Sequence, residues 1–338
     1  MLETIWFILW MLLWAVYFAL DGFDLGLGTL MPFIAKEDDE RRIIYHAAGP
    51  FWDGNEVWLI AAGGVTFAAF PKAYAVMFSA LYTPLLMLLF ALILRAVSFE
   101  FRDKILSYGW RTFWDTVHFI VNLVACILLG CAFGNLFMGI PVDAQGVFHG
   151  NLLTLLNGYG LATAVFFTSF FILHGAMWLV IKSKGQLQIR AIATCNFMWP
   201  IVLVMLMLFL WTTLARTQLL NNYLANPALF IIPVLTVAGL AGARVFLTAG
   251  KVWAAFASDC IFIIGLTFTG LTGLYPKIIL SSLDPKASIT AFNGASTSLT
   301  LQIMLVVVAI MVPIVLAYQG WLYRLFSHPI DANDLEGH

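Results

Sequence analysis

The run IWFILWMLLWAVYFALDGFDLGLGTLMPF, residues 5–33, holds only two charged side chains, Asp21 and Asp24. A hydrocarbon core of ~30 Å is crossed by ~20 apolar residues in a helix. The run is therefore long enough to span a membrane, with length left for tilt. No basic residue precedes it, and it far exceeds the apolar core of a cleavable signal. It is expected to stay as a first helix.

Runs of the same kind recur. The spacing predicts helices near 5–33, 53–70, 73–94, 113–138, 152–181, 191–213, 228–248, 252–275 and 299–323, nine in all. Composition agrees, with 62% hydrophobic and 10% charged residues, where a soluble domain carries about 25% charge. A formal net charge of −1 excludes a broad basic face for nucleic acid. The connections are short, so residues 1–338 read as a single all-α transmembrane domain with antiparallel neighbours. The longest outer connection is near 276–298. Eight helices plus one suit two four-helix bundles and a peripheral helix.

Lys and Arg orient the chain. Nine spans put Lys36, Arg41, Arg42, Arg95, Arg102, Lys104, Arg111, Lys182, Lys184, Arg190, Arg244, Lys251 and Arg324 on or near one side. Lys72, Arg216, Lys277 and Lys286 fall on the other. Thirteen against four places the richer side in the cytoplasm. The N-terminus is then outside and the C-terminus inside.

Charges at membrane depth cost roughly 2.5–3.5 kcal/mol each on insertion scales, so each needs a reason. Asp21-Gly22-Phe23-Asp24 puts two carboxylates on one helical face. Asp24 lies about 14 Å inside the cytoplasmic edge at ~1.5 Å per residue. Two anions that close in low dielectric cannot both be cheaply ionised, so one is expected to hold a proton or meet a cation. This suits proton handling; it also suits a structural hydrogen-bond anchor. Gly22 and Gly26 permit close approach of another helix.

The second helix opens Gly49-Pro50-Phe51-Trp52-Asp53-Gly54-Asn55-Glu56-Val57-Trp58. Asp53 sits in the first turn, where the macrodipole favours an anion. Asp53, Asn55 and Glu56 also gather at the cytoplasmic mouth, where a proton path would begin. Trp52 and Trp58 fit an interfacial aromatic belt. Arg95, Glu100, Arg102 and Asp103 read as the cytoplasmic end of the third helix, snorkelling or paired. Asp115 starts the fourth, and an Arg244–Asp259 pair is expected between the seventh and eighth.

His118 and His174 lie at similar depth on separate helices, so a shared haem is conceivable; a hydrogen-bonded packing role is the simpler reading. His46, His149, His328 and His338 read as loop or tail residues. Cys126, Cys131, Cys195 and Cys260 fall in apolar spans without a Cys-x-x-Cys pair and read as small packing residues. No phosphate loop, nucleophile elbow or clustered metal-ligand motif appears. By these residues alone, the chain suits a transporter and an energy-converting subunit equally.

The motifs add a resemblance. Asp21-Gly22-Phe23-Asp24-Leu25-Gly26, the Arg41-Arg42 loop and Phe51-Trp52-Asp53-Gly54-Asn55-Glu56-Val57-Trp58 resemble subunit II of the cytochrome bd quinol oxidases. Gly134-Asn135-Leu136, Gly139-Ile140-Pro141, His174-Gly175-Ala176 with Gly185, Leu274-Tyr275-Pro276, Ser296–Leu301 and Val312-Pro313-Ile314-Val315-Leu316 continue it in family order. The resemblance implies a bacterial or archaeal cytoplasmic membrane and a heterodimer with subunit I. That partner carries two b-type haems, haem d and the quinol site, and the complex reduces oxygen to water. This chain would bind no haem itself. Some members hold a structural quinone in this subunit, and small accessory membrane subunits occur. The aspartate matching Asp53 is associated with a proton path; Asp21, Asp24 and Glu56 are candidates to extend it. Asp259 belongs to no family motif. The competing reading, a proton- or cation-coupled transporter, expects broken helices and inverted repeats.

Overall fold

The computed structural model describes residues 1–330, so His338 lies outside the described residues. α1 (Leu2–Ile34) is followed by α2 (Asp38–Ala48), α3 (Trp52–Ala69), α4 (Pro71–Ala80), α5 (Tyr82–Phe101) and α6 (Tyr108–Met138). The short α7 (Leu152–Leu155) precedes α8 (Gly158–Lys182) and α9 (Gly185–Arg216). The second half holds α10 (Leu220–Ala225), α11 (Ile231–Thr248), α12 (Val252–Leu274), β1 (Lys277–Ile279), β2 (Ile289–Thr290) and α13 (Ser298–Leu325).

Among the described residues, eight helices are long and apolar enough to cross a membrane. The ninth expected span is α3, 18 residues long. It has the length, but Asp53, Asn55 and Glu56 in its opening turns hold its hydropathy below that of the others.

Two expected spans are differently built. The span expected at 73–94 is divided between α4 and α5. Pro84 has no N–H to offer the carbonyl of Ala80, so the helical ladder breaks there, and α5 then continues to Phe101. The span expected at 152–181 starts as α7, and the chain restarts at Asn157, whose side chain accepts from Gly160 N–H at 2.8 Å. The connection near 276–298, expected on the outer side, contains the antiparallel β1–β2 hairpin, and Ser281 beyond β1 bridges to Ile140.

α1 is the central element. It packs on α3, α6, α8 and α12. One group comprises α1, α3, α5 and α6, the other α8, α9, α11 and α12, and α13 lies outermost, burying only Leu301 and Gln319. The groups meet along α8, which packs on α6 and is crossed by α1. A Cβ on Gly26 would stand 1.8 Å from the Phe171 carbonyl oxygen, and one on Gly175 would stand 2.5 Å from the Leu27 nitrogen. The two backbones touch there, which only glycine allows. This crossing brings Asp21 and Asp24 into the centre of the molecule. Phe23, between them, stacks on Trp178 with ring centroids 4.6 Å apart.

Candidate functional site

Asp21 and Asp24 are buried to 0% and 2% exposure, and both are answered from neighbouring helices. Arg95 of α5 reaches inward and places Nη2 2.8 Å from Asp21 Oδ1 and 2.8 Å from Glu56 Oε2. The Glu56 contact is a hydrogen bond; the Asp21 contact is off line, and both Asp21 oxygens lack a hydrogen-bond donor. Arg95 itself is 1% exposed. It was expected at the cytoplasmic surface. It stands seven residues before Arg102, about 10 Å deeper at ~1.5 Å per residue, and a cation at that depth needs anions from other helices.

Asp24 is in no ion pair among the described residues. Its Oδ2 accepts from Asn55 Nδ2 at 2.8 Å, and Oδ1 has no partner. The amide of Asn55 can be oriented by chemistry. Its nitrogen also approaches Leu20 O at 3.3 Å, a carbonyl that can only accept. On the other side, Tyr323 donates its hydroxyl to Asn55 Oδ1 at 2.9 Å. Asp24 is thus the carboxyl that can take a proton without breaking an ion pair. The Tyr17 hydroxyl, one turn before Asp21, is buried without a hydrogen-bond partner.

Glu56 bridges inside and outside, with 21% of its side chain exposed. Asp53, one turn earlier on α3, is exposed and accepts from its neighbour Gly54 N–H at 2.6 Å. The structure therefore brings Asp21, Asp24 and Glu56 into one network, with Asp53 at the rim and not bonded to the rest. α13 braces this turn: Gln319 donates to Gly54 O at 3.0 Å and accepts from Trp58 Nε1 at 3.0 Å. Trp58, expected in an interfacial belt, is 4% exposed because this bond draws it inward. Trp52 is half-buried and stacks on Phe99 at 5.3 Å.

Sequence reasoning placed Asn55 at the mouth of the path but missed its bond to Asp24, and it missed Arg95, Gln319 and Tyr323 as parts of the site. Depth alone could have flagged Arg95. Nothing in the sequence singles out Gln319 or Tyr323, because they approach from the far end of the chain.

A second ionic group lies beyond the helix ends. Arg102 contacts Asp115 at 2.6 Å, Asp38 at 2.6 Å and Asp103 at 3.1 Å. Arg111 contacts Asp38 at 2.7 Å, Arg41 contacts Asp115 at 3.1 Å, and Arg190 pairs with Glu40. These bonds staple α2 across the ends of α5, α6 and α9. Burial pushes the Glu40 carboxyl up, but the Lys36 backbone N–H and the Arg190 guanidinium outweigh it and hold Glu40 below its ordinary value. Burial, with Asp115 nearby, holds the Tyr45 hydroxyl well above its ordinary value.

The histidines have separate partners. His118 Nδ1 lies 2.7 Å from Ser98 Oγ. His174 uses both ring nitrogens, Nδ1 at 2.7 Å from Asp259 Oδ2 and Nε2 at 2.9 Å from Ala19 O. That leaves His174 no nitrogen for a haem iron. The expected Arg244–Asp259 pair is replaced: Asp259 faces α8, while Arg244 bonds Asn196 of α9 and lies over the Trp199 ring at 5.8 Å. The four cysteines are unpaired with one another.

Known proteins fit this architecture. The fold is shared with a bd oxidase structure from Geobacillus thermodenitrificans, with a TM-score of 0.79 at 15% identity over 96% of this chain and 98% of that one. The chain is 33% identical to the cytochrome bd-I ubiquinol oxidase subunit 2 of Escherichia coli, covering 99% of this chain and 97% of that protein. It is also 33% identical to the cytochrome bd ubiquinol oxidase subunit 2 of Bacillus subtilis, covering 96% of each. A probable cytochrome oxidase subunit 2 of Haemophilus influenzae is likewise 33% identical over 99% of this chain and 97% of its own length. The family described as cytochrome bd terminal oxidase subunit II matches residues 2–326. The transporter reading is thereby set aside: the chain belongs to the cytochrome bd terminal oxidase subunit II family and is a multi-pass membrane subunit of an oxidoreductase complex.

Proposed function

We propose that this chain scaffolds a haem-bearing subunit I and gives protons a path from the cytoplasm toward its oxygen-reducing centre. The observation that carries this reading is a guanidinium buried between carboxylates of two helices, with Glu56 partly exposed and Asp53 open beside it. Protons would collect at Asp53, pass to Glu56 and reach Asp21 and Asp24. The ionised pairs around Arg95 hold the path polar, and Asp24, outside those pairs, is the group free to load and unload.

The path has a direction only if this end faces the cytoplasm, with the N-terminus outside and the C-terminus inside. The Lys and Arg asymmetry supports that orientation. So does the ionic group around Arg102, which lies at the same end as the α13 terminus. There Lys182 Nζ donates to the Phe326 and His328 carbonyls at 2.5 and 3.0 Å. Haems b and d and the quinol site belong to the partner in this reading. The protonic residues here would serve the oxygen chemistry without touching it.

The test is Asp53→Asn in the purified complex. Oxygen consumption is expected to fall several-fold while the haem absorption bands keep their size and position. Normal turnover across a range of pH would make Asp53 only a helix-start residue, as its bond to Gly54 N–H allows.

A further inference from the structure

His174 and Asp259 stand apart from the carboxylate–arginine network, yet their side chains are only 0% and 1% exposed. The Ala19 carbonyl can only accept, so Nε2 of His174 carries a hydrogen. Nδ1 lies 2.7 Å from Asp259 Oδ2. Two bare acceptors do not sit that close, so one proton lies between them. Either an imidazolium faces a carboxylate, or a neutral imidazole accepts from a carboxylic acid. Both arrangements are electrically neutral, which spares the membrane interior a lone charge.

The ring has little freedom. Phe256 lies flat against it, with centroids 4.8 Å apart at 6°, and Phe23 meets it at 6.0 Å. The other ionisable groups facing the pair are the thiols of Cys195 on α9 and Cys260 on α12. Ala19 precedes Asp21 by two residues, and its carbonyl belongs to the helical turn that carries Asp21. On the same side, a Cβ on Gly22 would stand 2.6 Å from the Phe171 ring, so α8 presses directly on this turn.

We propose that His174 is a positioning residue for Asp21 and Asp24. Asp259 fixes its tautomer, and the imidazole then clamps the α1 turn bearing both acids to α8 and α12. The inference rests on the proton-path reading above. The groups that face the two acids are Arg95 from α5, Glu56 from α3, Tyr323 from α13, the Cys126 thiol from α6 and Tyr17 from α1 itself. A shift of the turn changes the distance of the acids from all of them, so it shows in the pH dependence of turnover.

The experiment compares oxygen consumption against pH for the purified complex carrying Asp259→Leu, Asp259→Asn or His174→Phe, with Asp21→Asn and Asp24→Asn as references. Asp259→Leu and His174→Phe are expected to slow turnover at least fivefold and displace the pH profile, at unchanged haem content. Asp259→Asn can still donate to Nδ1 and is expected to stay within twofold of the parent. A wild-type profile in Asp259→Leu, while Asp21→Asn slows turnover, overturns the positioning role and leaves the proton path standing. Equal impairment by Asn and Leu overturns it too. Normal turnover in both reference variants removes the proton path, and the positioning role goes with it. If Asp259→Leu does not assemble, Asp259→Ser is measured in its place. Failure of Ser and Asn to assemble as well makes the pair a folding element and also overturns the proposal.

Discussion

Arg95→Met removes the cation that answers Asp21 and Glu56. Met keeps the length and apolar stem of the arginine and leaves two carboxylates without it. Two unit charges ~4 Å apart attract by about 4 kcal/mol at an effective dielectric of ~20. The Glu56 contact is weakened because 21% of that side chain is exposed; the Asp21 contact, with 1% and 0% exposure, is not. Removing one partner of a buried pair costs ~3–5 kcal/mol. At ~1.4 kcal/mol per tenfold, that shifts the folding balance at least about a hundredfold. The two contacts do not add, because one proton taken up by Asp21 discharges most of the strain. Arg95→Met is therefore expected to cut the yield of assembled complex and lower its melting temperature in detergent. Arg95→Met combined with Asp21→Asn should recover about half of the loss, since the asparagine needs no counter-ion. Thermal unfolding followed by the haem bands measures both. A single variant as stable as the parent, or a double variant no better than the single, refutes the account of Arg95 as the counter-ion.

Gly26→Ala is expected to abolish assembly, because its Cβ would enter the Phe171 carbonyl at 1.8 Å and neither backbone can retreat; Gly63→Ala, with nothing within 4 Å, is the matched control in a membrane-fraction immunoblot. Tyr323→Phe keeps the ring contact with Phe51 at 4.5 Å but leaves Asn55 Oδ1 unpaired. It should cost about 1–3 kcal/mol, read as a lower melting temperature. In the loop after α6, His149 and the Val147 and Gln145 backbone N–H groups hold the Asp143 carboxyl below its ordinary value. A depressed carboxyl stabilises the fold above its unfolded value and loses that contribution as pH falls through the folded one. Hydrogen exchange of residues 140–150 should therefore be slow at neutral pH and rise only once pH drops below the ordinary carboxylate range. Asp143→Asn should remove that dependence.

How far the site could be read from the sequence depended on whether a residue's reason lay near it in the chain. The cost of charge in a bilayer marks Asp21, Asp24 and Arg95 wherever they fall, because it needs only hydropathy and depth. The partner of each is a different matter. Asn55 answers Asp24 across 31 positions, Tyr323 answers Asn55 across 268, and Asp259 answers His174 across 85. Such pairings depend on how each helix is rotated about its axis, and rotation is encoded weakly here. α1 is buried nearly all round, so no polar face tells which side meets α3 and which meets α8. α11 shows the consequence: Arg244 and Asp259 flank a tight turn at comparable depth and read as a pair, yet their helices turn the two side chains to α9 and α8. The breaks at Pro84 and Asn157 were legible in principle, since a missing N–H and a capping amide act locally; hydropathy ran across both and hid them. The same reasoning explains why the Gly22–Gly26 spacing, weak by itself, marked the closest helix crossing. A small-residue stripe with a charge inside it divides the work between helices. Here α8 fills the stripe through Gly175 and holds the turn through His174 on the Ala19 carbonyl, while Asn55 of α3 answers Asp24 and Arg95 of α5 answers Asp21.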